Sequence, residues 1–340
     1  MSRILRATVV ALAAAISLTA CTPPMPPEVL AALAEQTYTC EAGEVKVWAI
    51  DSVATVATDW QSSSSMNCPE MPITPTPTVA ADVQLQITSG QPTGTAFASV
   101  PMAVDAVAFA YNLDGVSGLN LDAATLEKIY AGQITNWSDP AIAKQNPGFT
   151  LPSVAISFGS ELDATKSAVM TSWLSRLAGH PVSLPAGSAT IATPGAIILT
   201  TYSKATTNSL TMAGIITGKK LESDFAVADT NGLLTAASQW KTTNTSSGIS
   251  VELAPNSKPL TPLGLDVAPN PYQAVFPVNL YLVGPDSLNT RAAARYLLRQ
   301  DSQGSLALSS VVALPENIRV VSLTSVSKGL PTPTQSPAGN

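Results

Sequence analysis

The stretch from Val100 to Tyr111 is nearly continuous in Val, Ala and Phe, and nothing else in the chain limits the fold as strongly. A strand that is apolar on both of its alternating faces must be covered on both sides, which is the situation of a sheet sandwiched by helices. Ala274 to Val283 reads as a second strand of this kind, and Val45 to Ile50 and Val83 to Ile87 as further strands. Helices fall between them. Asp122 is placed to cap a helix over Ala123 to Ala131, with Leu121 and Leu126 as a hydrophobic staple and Gly132 as the stop. A second helix is expected over Ala164 to Ala178. Asp163 is its cap, Gly179 lies beyond its end, and Val169, Met170, Trp173, Leu174 and Leu177 share one face. A third covers Thr290 to Gln300, with Arg295 and Arg299 near the negative end of its dipole. The Ser/Thr/Ala segment ending at Asp59-Trp60 is a further helix candidate, and Gln61 to Pro77, dense in Ser and Pro, reads as loop. Alternating strands and helices predict an α/β protein, and a chain of 340 residues exceeds a single core, which suggests two lobes.

Only 12% of residues are charged, about half the usual share of roughly 25%, so Thr, Ser, Gln and Asn must cover most of the surface. The formal charge of −6 becomes −8 once Arg3 and Arg6 are set aside, and no basic run of the kind nucleic acid needs is present. No Cys/His cluster has metal-ligand spacing, no Gly-x-Ser-x-Gly elbow occurs, and no Gly-rich loop with a lysine could cradle phosphates. Neither a cofactor nor a metal is expected. The single histidine, His180, follows a helix end and reads as structural.

At the start of the chain, Arg3 and Arg6 precede about 14 uncharged, mostly apolar residues, too few to span a bilayer and typical of a secretory signal. Leu18-Thr-Ala-Cys21 then resembles the lipobox of bacterial lipoproteins, which implies a signal peptide over 1–20 and lipidation of Cys21. The alternative is an ordinary signal peptide followed by an incidental cysteine. On the lipoprotein reading, residues 21–42, opening on Thr22-Pro-Pro-Met-Pro-Pro27, are a stiff tether that anchors the chain outside the cytoplasm to the cell membrane. In that compartment Cys40 and Cys68 are expected to pair, with two buried free thiols as the alternative.

Tyr111-Asn-Leu, Leu119-Asn-Leu-Asp122, Ile129-Tyr-Ala-Gly-Gln-Ile-Thr-Asn-Trp-Ser-Asp-Pro140, Asn146-Pro-Gly148, Thr193-Pro-Gly-Ala-Ile197 and Val311-Val-Ala-Leu-Pro315 together resemble the PstS-like phosphate-binding receptors of bacterial ABC importers over roughly residues 80–320. The resemblance implies a type II periplasmic-binding-protein fold: two α/β lobes joined by two crossover strands, with ligand in the cleft and an ABC permease as a possible partner. It places the crossings near Tyr111 and Tyr272. Lobe I is then 43–112 plus 268–325 and lobe II is 113–267, leaving 326–340 as a disordered tail. Trp137 is expected to pack between loop and helix rather than to touch ligand.

The departures from the family bear on function. Its Arg-Ser-Asp-Gly-Ser-Gly-Thr loop falls on Gly159-Ser160-Glu161-Leu162-Asp163-Ala164-Thr165, which keeps only Ser160 and Thr165. A carboxylate, Asp163, stands where a hydroxyl would cap the helix and touch phosphate, and it can satisfy those amides itself. A unit repulsion at about 4 Å is about 4 kcal/mol at an effective dielectric of 20, enough to oppose phosphate strongly. Asp51-Ser52 and Thr88-Ser89-Gly90 are the stand-ins in the first lobe, so the ligand-binding candidates are Ser52, Ser89, Ser160, Asp163 and Thr165. Two readings follow. One is a receptor for a small solute in which phosphate is doubtful and a cationic or neutral polar ligand is favoured; the other is a ligand-free receptor fold acting as a surface scaffold. Glu161 and Asp163 beside a helix start read as caps rather than as a general acid and base, so no enzymatic activity is expected.

Overall fold

The computed structural model describes residue 35, residues 37–221 and residues 223–331. The expected signal peptide over 1–20, the expected lipidation site Cys21, most of the expected tether and residues 332–340 lie outside the described residues.

The long apolar run forms one strand, β4 (Ala96–Tyr111), flanked in chain order by β1 (Val45–Ala49), α1 (Asp51–Asn67), β2 (Ile73–Pro75) and β3 (Leu85–Thr88). Then come β5 (Asn120–Leu121), α2 (Ala123–Tyr130), α3 (Pro140–Gln145), β6 (Ser157–Ser160), α4 (Ala164–Ala178), β7 (Ala196–Thr201) and α5 (Tyr202–Thr207). Strands β8 (Thr211–Met212), β9 (Gly214–Ile216) and β10 (Phe225–Ala226) precede α6 (Thr230–Ala237) and the hairpin β11 (Trp240–Thr245) and β12 (Gly248–Leu253). The chain closes with β13 (Val275–Val283), α7 (Leu288–Leu297), α8 (Gln300–Gly304), a 3-10 turn at Ser305–Leu308, β14 (Val312–Ala313) and α9 (Glu316–Val326).

Strand β4 belongs to two sheets in turn, and this builds the two lobes. Up to Ala106 it pairs antiparallel with β13, with β14 on its other edge at Val104. From Val107 to Tyr111 its partner on that edge is β7. The exchange therefore falls between Ala106 and Val107. The return strand crosses at the same level, because Val107 N donates to Ala274 O at 2.8 Å and the Tyr272 hydroxyl donates to Val107 O at 2.9 Å. One sheet carries β2, β1, β3, β13 and β4 in that order, the other β6, β7, β4 and β8, and both bury their apolar residues under helices.

Several local expectations match the observed elements. Asp122 accepts from Thr125 N at 2.7 Å at the start of α2, and Asp163 from Lys166 N at 2.9 Å at the start of α4, which ends on left-handed Gly179. Cys40 and Cys68 are bonded. Trp137 is fully buried and donates to Gly195 O at 2.9 Å.

Others need correction. Helix α1 continues through the serine run to Asn67, where a loop was expected from Gln61, because Ser62 to Ser65 turn their hydroxyls back onto carbonyls three or four residues earlier. The third helix breaks after Leu297, since Arg299 adopts an extended backbone and sends its guanidinium to the Glu35 and Thr37 carbonyls. Arg319, buried, pairs with Glu35, so the stretch from Glu35 to Cys40, expected to be tether, is tied to the body. At the other end Val326 and Leu330 are buried, and packing persists inside the expected tail. The β11–β12 hairpin, expected in lobe II, joins lobe I: Gly248 pairs with Ser99 so closely that a Cβ there would lie 2.0 Å from Ser99 O.

Candidate functional site

The carboxyl ends of β1 and β3 in one lobe and of β6 and β7 in the other open toward the junction marked by Ala106 and Val107, and helix starts gather there. Ile50 N donates to Ile87 O at 3.0 Å, fixing the start of α1 beside the end of β3. Across the junction, Thr201 caps α5 by accepting from Lys204 N at 3.1 Å. Between these two helix starts is a hollow of about 400 Å3 lined by Ile50, Asp51 and Ser52 from one lobe and by Ser203, Lys204, Thr207 and Asn208 from the other.

The sequence candidates divide around this hollow. Ser52 lines it. Ser89, half-buried just past β3, is not among its lining residues, and the neighbouring turn closes on itself through Gly90 N and Thr88 Oγ1 at 3.0 Å. Ser160, Asp163 and Thr165 stand together at the start of α4, next to the hollow rather than in it. Ser160 Oγ accepts from Leu162 N at 3.2 Å. Asp163 takes both the amide and the ammonium of Lys166 at 2.9 Å, and those bonds, the amide first, hold its carboxyl below the usual range.

Glu161 links the α4 start to the hollow. Its Oε2 accepts from Thr200 Oγ1 at 2.9 Å and lies 2.9 Å from the Lys204 ammonium. Gly159 has a packing reason that its family comparison could not supply: a Cβ there would lie 2.0 Å from Ala189 O, so the backbone of that crossing segment admits no side chain.

One acidic residue of the junction was not among the candidates. Asp105 sits in β4 at the last step before the sheet exchange and is 3% exposed. Its carboxylate accepts from Ala106 N at 2.8 Å, Ser203 N at 3.0 Å and Ser203 Oγ at 2.6 Å. Burial pushes its carboxyl up to about 6 against the opposing pull of those bonds and of the Lys166 charge. The available signal was an aspartate inside an apolar strand, where a buried carboxyl needs partners.

A second hollow, about 380 Å3, lies away from the junction and is walled by residues such as Leu234, Leu260, Leu263 and Leu314. Two of its polar groups are spent on the chain itself: Gln303 binds the Met102 carbonyl and the Leu314 amide, and Ser238 the Leu260 amide. The junction hollow is the better site on chemistry, because both lobes supply polar groups to it.

Residues 79–268 match the PBP superfamily domain. Over 139 residues the chain is 34% identical to phosphate-binding protein PstS 3 of Mycobacterium tuberculosis, a stretch that covers 35% of this chain and 37% of that protein. It is also 41% identical over 83 residues to PstS 2 of Mycobacterium tuberculosis, covering 23% of this chain and 22% of the other. The match thus spans between 22% and 37% of the length of these curated relatives. Among solved structures, a high affinity periplasmic phosphate-binding protein (PfluDING) bound with phosphate aligns over 85% of this chain and 99% of its own, with a TM-score of 0.50 at 11% identity, which speaks to fold alone. A putative phosphate ABC transporter substrate-binding protein from Clostridium perfringens aligns over 80% of this chain and 100% of its own, with a TM-score of 0.45 and 13% identity.

Proposed function

The chain belongs to the PBP superfamily, and from that premise we propose that it is an exported, lipid-anchored solute-binding protein, built like the phosphate receptor of an ABC importer but with the phosphate seat degraded. The observation that carries this reading is the state of the α4 start: one of its free amides, that of Lys166, is taken by the Asp163 carboxylate, and the adjacent Lys204 cation is taken by Glu161. A dianion approaching Ser160 and Thr165 would meet two carboxylates in place of an arginine, and the family's arginine position is a glycine that the Ala189 carbonyl leaves no room to replace. The solute that remains compatible is neutral or cationic, small enough for about 400 Å3, and held by Asp51, Ser52 and Asn208. An ABC permease is the partner such a receptor would serve, and lipidation of Cys21 would hold it at the outer face of the cell membrane.

Titration calorimetry of the purified full chain against phosphate, sulfate, molybdate, amino acids and small polyols tests the reading. A neutral or cationic binder with phosphate silent is the expected result, and tight phosphate uptake would overturn it. In Asp163→Ser, weak phosphate binding should appear.

A second reading has its own observation. A polar group of one lobe is bonded to the other across the cleft, Thr207 Oγ1 to Ser310 Oγ at 2.6 Å, and Ser310 is itself tied within its lobe to Ser52 O at 3.3 Å. A receptor fold whose lobes are already joined in this way would serve as a ligand-free surface scaffold, and silence toward every solute in the same titration selects it.

A further inference from the structure

Helix α5 is the lobe II wall of the hollow, and it is fastened to lobe I at both ends. At its start, Ser203 gives its amide and its hydroxyl to Asp105, at 3.0 and 2.6 Å. At its end, Thr207 meets Ser310 at 2.6 Å, and Ser310 in turn donates to Ser52 of α1. Asp105 stands at a break in the pairing of β4. On that edge of β4, lobe I's β14 stops at Val104 and lobe II's β7 begins at Val107, so the two intervening residues have no strand beside them. The first turn of α5 fills the gap.

We propose that Asp105 is an inter-lobe positioning residue: by holding Ser203 it clamps α5 across the gap in β4, and so sets the closure of the lobes over the hollow. A carboxylate suits this role because it accepts two donors from the same residue, whereas the neighbouring apolar side chains Val104, Ala106 and Val107 accept none. The groups that face it are few. Lys166 of α4 acts on it through its charge, Ser203 through hydrogen bonds, its register neighbour Phe276 of β13 is apolar, and so is Val312 of β14, which stands opposite the adjacent Val104. Opening the clamp would hydrate the carboxylate and relieve its burial, so its protonated form favours the closed lobes and its ionised form is the easier to open.

The proposal concerns the lobes alone and stands whether or not the hollow takes a solute. Hydrogen exchange of the full chain, read peptide by peptide and corrected for intrinsic rates, tests it. Removing the acceptors in Asp105→Ala should raise exchange in residues 202–208 by about tenfold while β1, β3 and β13 keep their protection. Asp105→Asn, which retains an acceptor for Ser203 N, should restore that protection. Wild-type exchange in α5 should rise as pH climbs through about 6, and the Asn variant should show no such step. Unchanged α5 exchange in Asp105→Ala, or a rise shared equally by the lobe I strands, overturns the proposal. Should Asp105→Ala fail to fold, Ser203→Ala decides: a selective rise in α5 supports the clamp, and wild-type exchange there refutes it.

Discussion

The Lys204 ammonium lies 2.9 Å from Glu161 Oε2, the same oxygen that accepts the Thr200 hydroxyl, so the one lysine lining the junction hollow is neutralised by the segment leading into α4. Freeing it should restore attraction for anions. Lys204 is 54% exposed, so water screens much of its field and the gain belongs near the lower end of the Coulomb range, about 1 kcal/mol. Glu161→Gln should therefore raise sulfate or phosphate association by about fivefold at low ionic strength, with the gain shrinking as salt is added. Calorimetry at two salt concentrations reads both effects, and equal affinities for variant and wild type would remove Glu161 from any account of anion exclusion.

Asp163 also has a purely structural duty. It satisfies the Lys166 amide at the first turn of a helix whose Met170, Trp173 and Leu174 are buried. Asp163→Ala should lower stability by about 1 kcal/mol, whereas Asp163→Ser, which keeps a capping oxygen, should cost only a few tenths. Urea unfolding at neutral pH separates the two. Similar losses for both would mean that the cap is not what the carboxylate contributes.

The pH response of the fold should carry the signature of Asp105. Its carboxyl is pushed up to about 6 by burial, against about 4 in the unfolded chain. Between those values the native protein holds a proton that the unfolded chain has lost. The contribution to stability is therefore full below pH about 4, falls as pH rises through 6, and amounts to about 3 kcal/mol in all. Asp105→Asn cannot titrate, so the stability of wild type relative to this variant should decline by that order between pH 4 and pH 7.5. A difference that stays flat over this range would show that the folded carboxyl titrates normally.

Much of this architecture was legible because it rests on short-range rules. The apolar β4 and β13 runs, the Asp122 and Asp163 caps and the Gly179 stop are each decided within a few residues. The features that escaped depend on distant backbone. Apart from Asp105, nothing within β4 marks its change of sheet, and the partner of Asp105 lies 98 residues away. Gly159 and Gly248 are explained only by Ala189 and Ser99, whose carbonyls press against them. The serine run misled for a different reason: serine favours turns when its hydroxyl competes with the backbone, but Ser62 to Ser65 bond backward along the helix, and Ser64 is buried as acceptor for Ile73 N at 3.1 Å. At the site, the α4 start was found through family resemblance, while α5 was missed because no motif distinguishes it.

The Cys40–Cys68 bridge supplies the last expected outcome. It spans a sequence separation of 28 and ties the entry segment to the end of α1, where Cys68 is fully buried and Cys68 N donates to Ser64 O at 2.7 Å. Restricting a loop of that length in the unfolded chain is worth on the order of 3 kcal/mol in the chain-entropy model. The entry segment has further ties: Arg299 donates to the Glu35 and Thr37 carbonyls, Arg319 pairs with Glu35, and Tyr38 donates to Asp301 at 3.0 Å and stacks on Tyr296, with the Arg299 guanidinium 4.0 Å from its ring centroid. The double variant Cys40→Ser, Cys68→Ser should accordingly lose about 3 kcal/mol in urea unfolding, and proteolysis should cut first before residue 45, with α1 and the β4 sheets intact. A loss below about 1 kcal/mol would mean that the Tyr38, Arg299 and Arg319 contacts hold the segment without the covalent link.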